Sequence, residues 1–298
     1  MEAYQKLVEN ARERRLIGNA SAVLHWDQET YLPSKGVAFR AEQLSYLSGK
    51  AHQLKTMPAI EGWLEQAEGE VEPDSRESAN LREWRFSYER ATTLPQELIE
   101  RASRAGSLAK EAWLQARANK DFSPFAPHLE ELLEINREKA DRYGYEDEAY
   151  DALLGDYERG SNTAEVADLL GRLTKPLAEL VQEVLSTEET PSSRPLPGPF
   201  PVAEQQILNR EVAEALGFDF ERGRIDTAPH PFCSGLGPSD IRLTTRYDEE
   251  DFSSSLFGVM HETGHGLYEQ GTDPEQWSLP SGSSVSMSIH ESQSRLWE

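Results

Sequence analysis

Between Val259 and Tyr268 the sequence reads Val-Met-His-Glu-Thr-Gly-His-Gly-Leu-Tyr, with His261 and His265 four residues apart. On an α-helix this spacing puts both imidazoles on one face, one turn apart, where they can hold a single zinc ion. Glu262 is turned partly away from that pair and can reach a water on the metal rather than the metal itself. The chain must therefore form a helix here and bring other elements to its histidine face. Asp248 is the expected N-cap, with Asp251 three residues on. Phe252, Leu256, Val259, Met260 and Leu267 supply an apolar helical face, and Gly271 is a natural stop. The layout is that of a zinc hydrolase.

A site of this kind needs a third protein ligand and keeps its fourth position for water. After Gly271, Asp273, Glu275, His290 and Glu291 qualify by chemistry, but the first two lie in a turn punctuated by Pro and Gly. Glu291 falls in a second expected helix that begins near Ser284, with Val285, Ile289 and Leu296 as its packed side. It stands 26 residues past His265, enough for a loop and an antiparallel return that brings the two helices face to face. An i,i+4 ion pair with Arg295 is the alternative use of Glu291, worth a few tenths of a kcal/mol. Spacing favours Glu291 and leaves His290 open. Four of the seven histidines fall after residue 229, which favours a site over scattered packing.

The chain before this region reads as helix after helix. Tyr4, Leu7, Ala11, Ile17, Ala20 and Leu24 recur at helical spacing from about Ala3, and Pro33 closes the segment. His25-Trp26-Asp27-Gln28-Glu29 at its end is rich in binding groups, although a capped helix end with a packed indole accounts for it. Further helices are expected over Val37–Leu54, after Pro58, and over Ser75–Glu89, Pro95–Asn119 and Pro127–Tyr143. Thr163 is the expected N-cap of a helix reaching about Ser186 despite Pro176. An extended connection is expected over Thr187–Pro201, followed by a helix to Leu216 stopped by Gly217. His52, His128 and Met57 are isolated and read as packing or surface residues.

From Arg224 to Tyr247 the texture changes to β-branched residues broken by Gly and Pro, read as two short strands joined by a glycine-rich turn. Asp240, Arg242 and Thr244 alternate with Ile241, Leu243 and Thr245, so they share one strand face. A solvated sheet edge and a cleft wall both fit that alternation. The fold class is mainly α, multi-helical, with short strands or a β-hairpin beside the metal helix.

The chain carries 53 acidic against 30 basic residues, a formal charge of −23, and such a field repels nucleic acid and anionic membrane surfaces. Its one cysteine, Cys233, excludes an intrachain disulfide framework and fits a reducing compartment. With no run of about 18 apolar residues and a charged N-terminus, a cytoplasmic protein is expected, with neither nucleic acid nor membrane as partner.

At these residues the chain closely resembles the thermostable carboxypeptidase 1 (carboxypeptidase Taq) family of metallocarboxypeptidases. The resemblance rests on His230-Pro231-Phe232, Asp240-x-Arg242-x-Thr244, His261-Glu262-x-x-His265 and His290-Glu291-Ser292-Gln293, in the family's order, with Trp26-Asp27-Gln28-Glu29-Thr30 near the N-terminus. It implies a fold related to neurolysin and angiotensin-converting enzyme 2, whose helices wall a long cleft, usually in a homodimer. It implies zinc ligands His261, His265 and Glu291 with Glu262 as general base, and cobalt as an alternative metal. Residues 1–298 are then one continuous catalytic unit, with 1–200 as a helical wall and 201–298 holding strands and metal helices.

The expected reaction is hydrolysis of the C-terminal peptide bond of peptide substrates, with broad specificity, by Glu262-assisted attack of a metal-bound water. Arg242 is the best available grip for a free C-terminal carboxylate, with His230, Asp240 and Thr244 as further substrate contacts. The family's chains are longer and carry two later motifs, an Ile-Arg-x-x-Ala-Asp type and a Gly-x-x-Gln-Asp-x-His-Trp type. This sequence stops at Glu298 inside an expected helix, so a fragment is expected that holds every metal ligand but lacks later substrate-binding residues. A zinc endopeptidase and a catalytically silent, metal-binding, dimerising chain are the alternatives.

Overall fold

Helix α1, Glu2–Thr30, is the long strut to which both halves of the chain attach. The computed structural model describes residues 1–187 and 198–298. α2 (Val37–Lys55) and α3 (Ala59–Glu68) pack on α1, followed by α4 (Arg76–Thr93), by α5 (Gln96–Asn119) on α2, and by α6 (Ala126–Tyr143) on α5. Ala3, Leu7 and Ala11 of α1 pack with Ile60 and Leu64 of α3 and with Leu81 and Trp84 of α4 in one apolar cluster. Leu98 and Ala105 of α5 pack on Ile135 of α6 in another. Removing apolar surface of this kind from water contributes roughly 25 cal/mol per Å², which is what makes these helices stable when their polar faces are so heavily charged. α1 runs six residues past the expected Leu24. His25 to Glu29 therefore lie within the helix, where Asp27 pairs with Arg40 and Glu29 with Lys110.

The short α7 (Asp151–Leu154) leads to α8, Thr163–Leu185, which is capped by Asn162 rather than Thr163 because the Asn162 side chain accepts the Glu165 N–H. α8 runs through Pro176 and carries an unusual face: Leu169, Leu170, Leu173, Leu177, Leu180 and Val184 are all exposed. The extended connection expected over Thr187–Pro201 lies, apart from its ends, outside the described residues.

After α9 (Val202–Leu216) come β1 (Gly223–Thr227), β2 (Cys233–Gly237) and β3 (Asp240–Thr245), three strands where two were expected. The sheet order is β1-β3-β2, with β1 parallel and β2 antiparallel to β3. The additional strand is β2, the glycine-rich stretch Cys-Ser-Gly-Leu-Gly that reads as the turn between the two expected strands. The parallel pairing is made through Arg224↔Arg242 and Asp226↔Thr244, on the face where β3 is also polar.

α10, Phe252–Gln270, lies on the opposite face of this sheet. Its N-cap is Asp251, whose carboxylate accepts the Ser253 N–H; Asp248, the expected cap, instead closes a turn by accepting from Glu250. Val259 joins Ala213, Phe218, Ile241 and Leu243 in the buried cluster beneath α10. α11, Met287–Arg295, starts three residues later than expected, at the cap formed by Ser286. Val285, Ile289 and Leu296, expected to be its packed side, are exposed, because α11 meets α10 through small residues instead. None of the described helices is long and apolar enough to cross a membrane.

Candidate metal centre

Two glycines let α10 be approached closely from both sides. A side-chain carbon on Gly266 would come within 2.7 Å of the Phe218 ring and 3.0 Å of Leu243, so the sheet side of the helix must be bare there. One on Gly264 would lie 2.4 Å from the Gln293 carbonyl oxygen and 2.6 Å from the Ser294 Cα, so α11 rests directly on the α10 backbone. That contact determines where Glu291 can reach.

His261 Nε2 and His265 Nε2 each lie 3.6 Å from Glu291 Oε2. One donor atom from each of the three residues falls within 4.8 Å of the others. Ligand atoms about 2.0–2.2 Å from a tetrahedral zinc stand roughly 3.3–3.5 Å apart, so a donor set of two imidazoles and one carboxylate at this spacing fits such an ion. Ser294 is fully buried, and its one hydroxyl proton is shared between the Glu291 carbonyl oxygen at 2.8 Å and Glu291 Oε2 at 2.9 Å. The Glu291–Arg295 pair does not form; Arg295 bonds Glu298.

The other nitrogens of both imidazoles are also engaged. His261 Nδ1 lies 2.5 Å from Glu298 Oε1. His265 Nδ1 lies 2.5 Å from His290 Nδ1, and His290 Nε2 lies 2.9 Å from Glu269 Oε1. With both ring nitrogens engaged within the chain, His290 stands outside the candidate cluster of His261, His265 and Glu291. Burial, with the neighbouring His290, holds His265 below the usual imidazole range, favouring the neutral form that can act as a ligand.

Glu262 is 5% exposed, and burial, then the nearby Glu291 charge, push its carboxyl up to about 8. Cys233 lies near it on β2, where burial raises the thiol pKa and keeps it protonated. An open hollow of about 370 Å³ borders the ligands, lined by Asp156, Tyr157, His265, Val285, Met287 and Glu291 among others. The turn carrying Tyr157 and Glu158 also anchors α11. The Tyr157 carbonyl accepts the Met287 N–H, and the Glu158 carboxylate accepts the Ser288 N–H at 3.1 Å, an acid placed at a helix N-terminus.

The remaining residues expected at the site stand apart from this trio. Asp240, Arg242 and Thr244 belong to the sheet face turned from α10. Arg242 donates two 2.8 Å bonds to Asp240 and its guanidinium carbon sits 4.4 Å from the Trp26 ring centre, so its fork is engaged within the chain. Thr244 is fully buried and locks the turn before β2: its Oγ1 accepts the Phe232 N–H and donates to the Phe232 carbonyl. His230 is exposed in that turn. Sequence reasoning missed Glu269. It lies one helical turn after His265, on the same face, which was its available signal.

The carboxypeptidase Taq (M32) metallopeptidase family profile matches residues 6–298. The chain belongs to this family. It is 40% identical to thermostable carboxypeptidase 1 of Thermus thermophilus, across 99% of this chain and 60% of that protein. It is 35% identical to thermostable carboxypeptidase 1 of Pyrococcus furiosus, across 100% and 60%. The BsuCP crystal structure superimposes with a TM-score of 0.95 at 30% identity, covering all of this chain and 60% of that one. An M32 carboxypeptidase from Deinococcus radiodurans gives 0.87 at 32%, with the same coverage. This chain thus spans about 60% of the length of the relatives it matches.

Proposed function

We propose that this chain carries the metal-binding and general-base part of a zinc carboxypeptidase that removes single residues from peptide C-termini with broad specificity. The carrying observation is the convergence of His261 and His265 on Glu291 Oε2 with Glu262 buried at the next position along α10. When bound there, zinc supplies a Lewis acid that polarises a scissile carbonyl and lowers the pKa of water. Glu262 accepts the proton of the attacking water and delivers it to the leaving amine. The Ser294 hydroxyl lies 2.9 Å from Glu291 Oε2, within reach to steady that carboxylate. The hollow bordered by Tyr157, Val285 and Met287 gives a peptide end a place beside these groups. The names of the relatives support the class of reaction.

The test is release of single amino acids from a peptide with a free C-terminus, compared with the same peptide amidated. Zinc-dependent release from the free peptide alone is expected; cleavage of the amidated peptide at internal bonds would replace this reading with an endopeptidase. One other outcome is a chain that binds metal and turns nothing over. Zinc retention with no release, beside an active full-length relative, would establish it.

A further inference from the structure

His290 is a positioning residue whose use follows from hydrogen-bond arithmetic. Two ring nitrogens facing each other at 2.5 Å, His290 Nδ1 and His265 Nδ1, bond only if one carries the proton and the other accepts it. The ambiguity is settled at the far end, where His290 Nε2 meets Glu269 Oε1 at 2.9 Å. An ionised carboxylate only accepts, so a neutral His290 carries its proton on Nε2 and presents a lone pair at Nδ1. His265 must then donate from its Nδ1, which leaves its Nε2 lone pair free, and Nε2 is the atom that faces Glu291. The reverse order with a neutral His290 leaves no proton in the His290–Glu269 contact, and with a protonated His290 it moves the His265 proton onto Nε2, the atom a metal needs.

The packing enforces the same arrangement. Glu269 and His265 lie one turn apart on α10, and His290 enters between them from α11. The His290 ring lies 4.5 Å from the His265 ring centre and 5.2 Å from that of Tyr268, whose hydroxyl in turn accepts the Val285 N–H just before α11. The imidazole is thus wedged, with both nitrogens assigned. His261, by contrast, is supported directly by one carboxylate, Glu298. The two ligand histidines are held by different devices.

We infer that Glu269 and His290 form a relay that fixes His265 in the tautomer and ring orientation required to bind a metal through Nε2. The inference rests on the metal reading given above and extends it to residues that touch no metal. Partners of this kind typically alter metal affinity about 10–100-fold when removed.

Cobalt(II) titrated into this chain, followed by its visible d–d absorption and by competition with a chelator, tests the relay. His290→Phe keeps a ring but offers no acceptor, and should weaken cobalt about 10–100-fold and change the absorption envelope, with the metal-free melting curve little altered. His290→Asn places an oxygen near the lost Nδ1 and should retain affinity within a few-fold, because His265 can still donate to it. Glu269→Ala should show an intermediate loss. If the phenylalanine variant does not fold, the other two decide: asparagine near the unaltered chain with alanine weakened supports the relay. Unchanged affinity and spectrum in both His290→Phe and Glu269→Ala would overturn it, as would an asparagine variant as weak as phenylalanine. Failure of the unaltered chain to bind cobalt is a separate result, which removes the metal site itself and the relay with it.

Discussion

Gly264 and Ser294 meet backbone to backbone: a methyl group on Gly264 would lie 2.6 Å from the Ser294 Cα, far inside van der Waals contact. The glycine between the two histidines therefore determines how near α11 comes, and so whether Glu291 reaches the metal position. Gly264→Ala should push α11 outward, cost about 1–3 kcal/mol of stability as overpacking does, and weaken zinc binding at least tenfold. Chelator competition alongside thermal melting measures both. Unchanged zinc affinity in a folded Ala variant would show that α11 can yield without moving Glu291.

Glu262 is assigned to proton transfer and not to holding the metal. Glu262→Gln, nearly the same shape, should leave zinc affinity within a few-fold and reduce C-terminal residue release by about 10²–10⁴-fold, the usual contribution of a general base. Removing the buried carboxyl should also not destabilise the chain, since burial and the nearby Glu291 charge oppose its ionised form. A glutamine variant that still turns peptide over would transfer the base role to another group.

The proximity of His261, His265 and Glu291 was legible because their spacing is a geometric statement: four residues make one helical turn, and a third donor must return from a second element. What could not be read was how closely the elements approach. Gly264 and Gly266 look like helix-weakening residues until Ser294, Phe218 and Leu243 are placed against them. Val285, Ile289 and Leu296 have the periodicity of a packed face, yet they are exposed, since α11 docks through Ser294 and Gly264. The extra strand is β2, because Cys233–Gly237 with its two glycines reads locally as a turn and becomes a strand only through its pairing with β3. The long apolar stripe of α8 was read correctly as helical, but periodicity does not say what a stripe packs against.

Arg242 is the natural candidate to grip a substrate carboxylate, yet its fork is closed on Asp240 and its plane lies near Trp26. Arg242→Gln should therefore act on folding. Because Asp240 is partly solvent-exposed, which screens the pair, the expected cost is about 1–2 kcal/mol. Denaturant unfolding gives that number, and the KM for a peptide with a free C-terminus should change less than threefold. A KM raised tenfold or more with unchanged stability would return Arg242 to the substrate.

Lys55, at the end of α2, provides a test by pH. Burial, then the neighbouring Arg14 guanidinium, lower its pKa from 10.5 to about 8. Between pH 8 and 10.5 the unfolded chain holds this proton more tightly than the folded one, so stability must rise with pH across that window. Below 8 the lysine is charged in both states, and the cost of its partly buried charge is fully present. Lys55→Met keeps the apolar stem and removes the charge. It should be more stable than the unaltered chain at pH 7, and the difference should shrink at pH 9.5, where the lysine is largely neutral in the folded state. Denaturant midpoints of the two proteins at these two values decide it. An advantage for the Met variant that stays constant from 7 to 9.5 would mean that Lys55 titrates as a solvated amine.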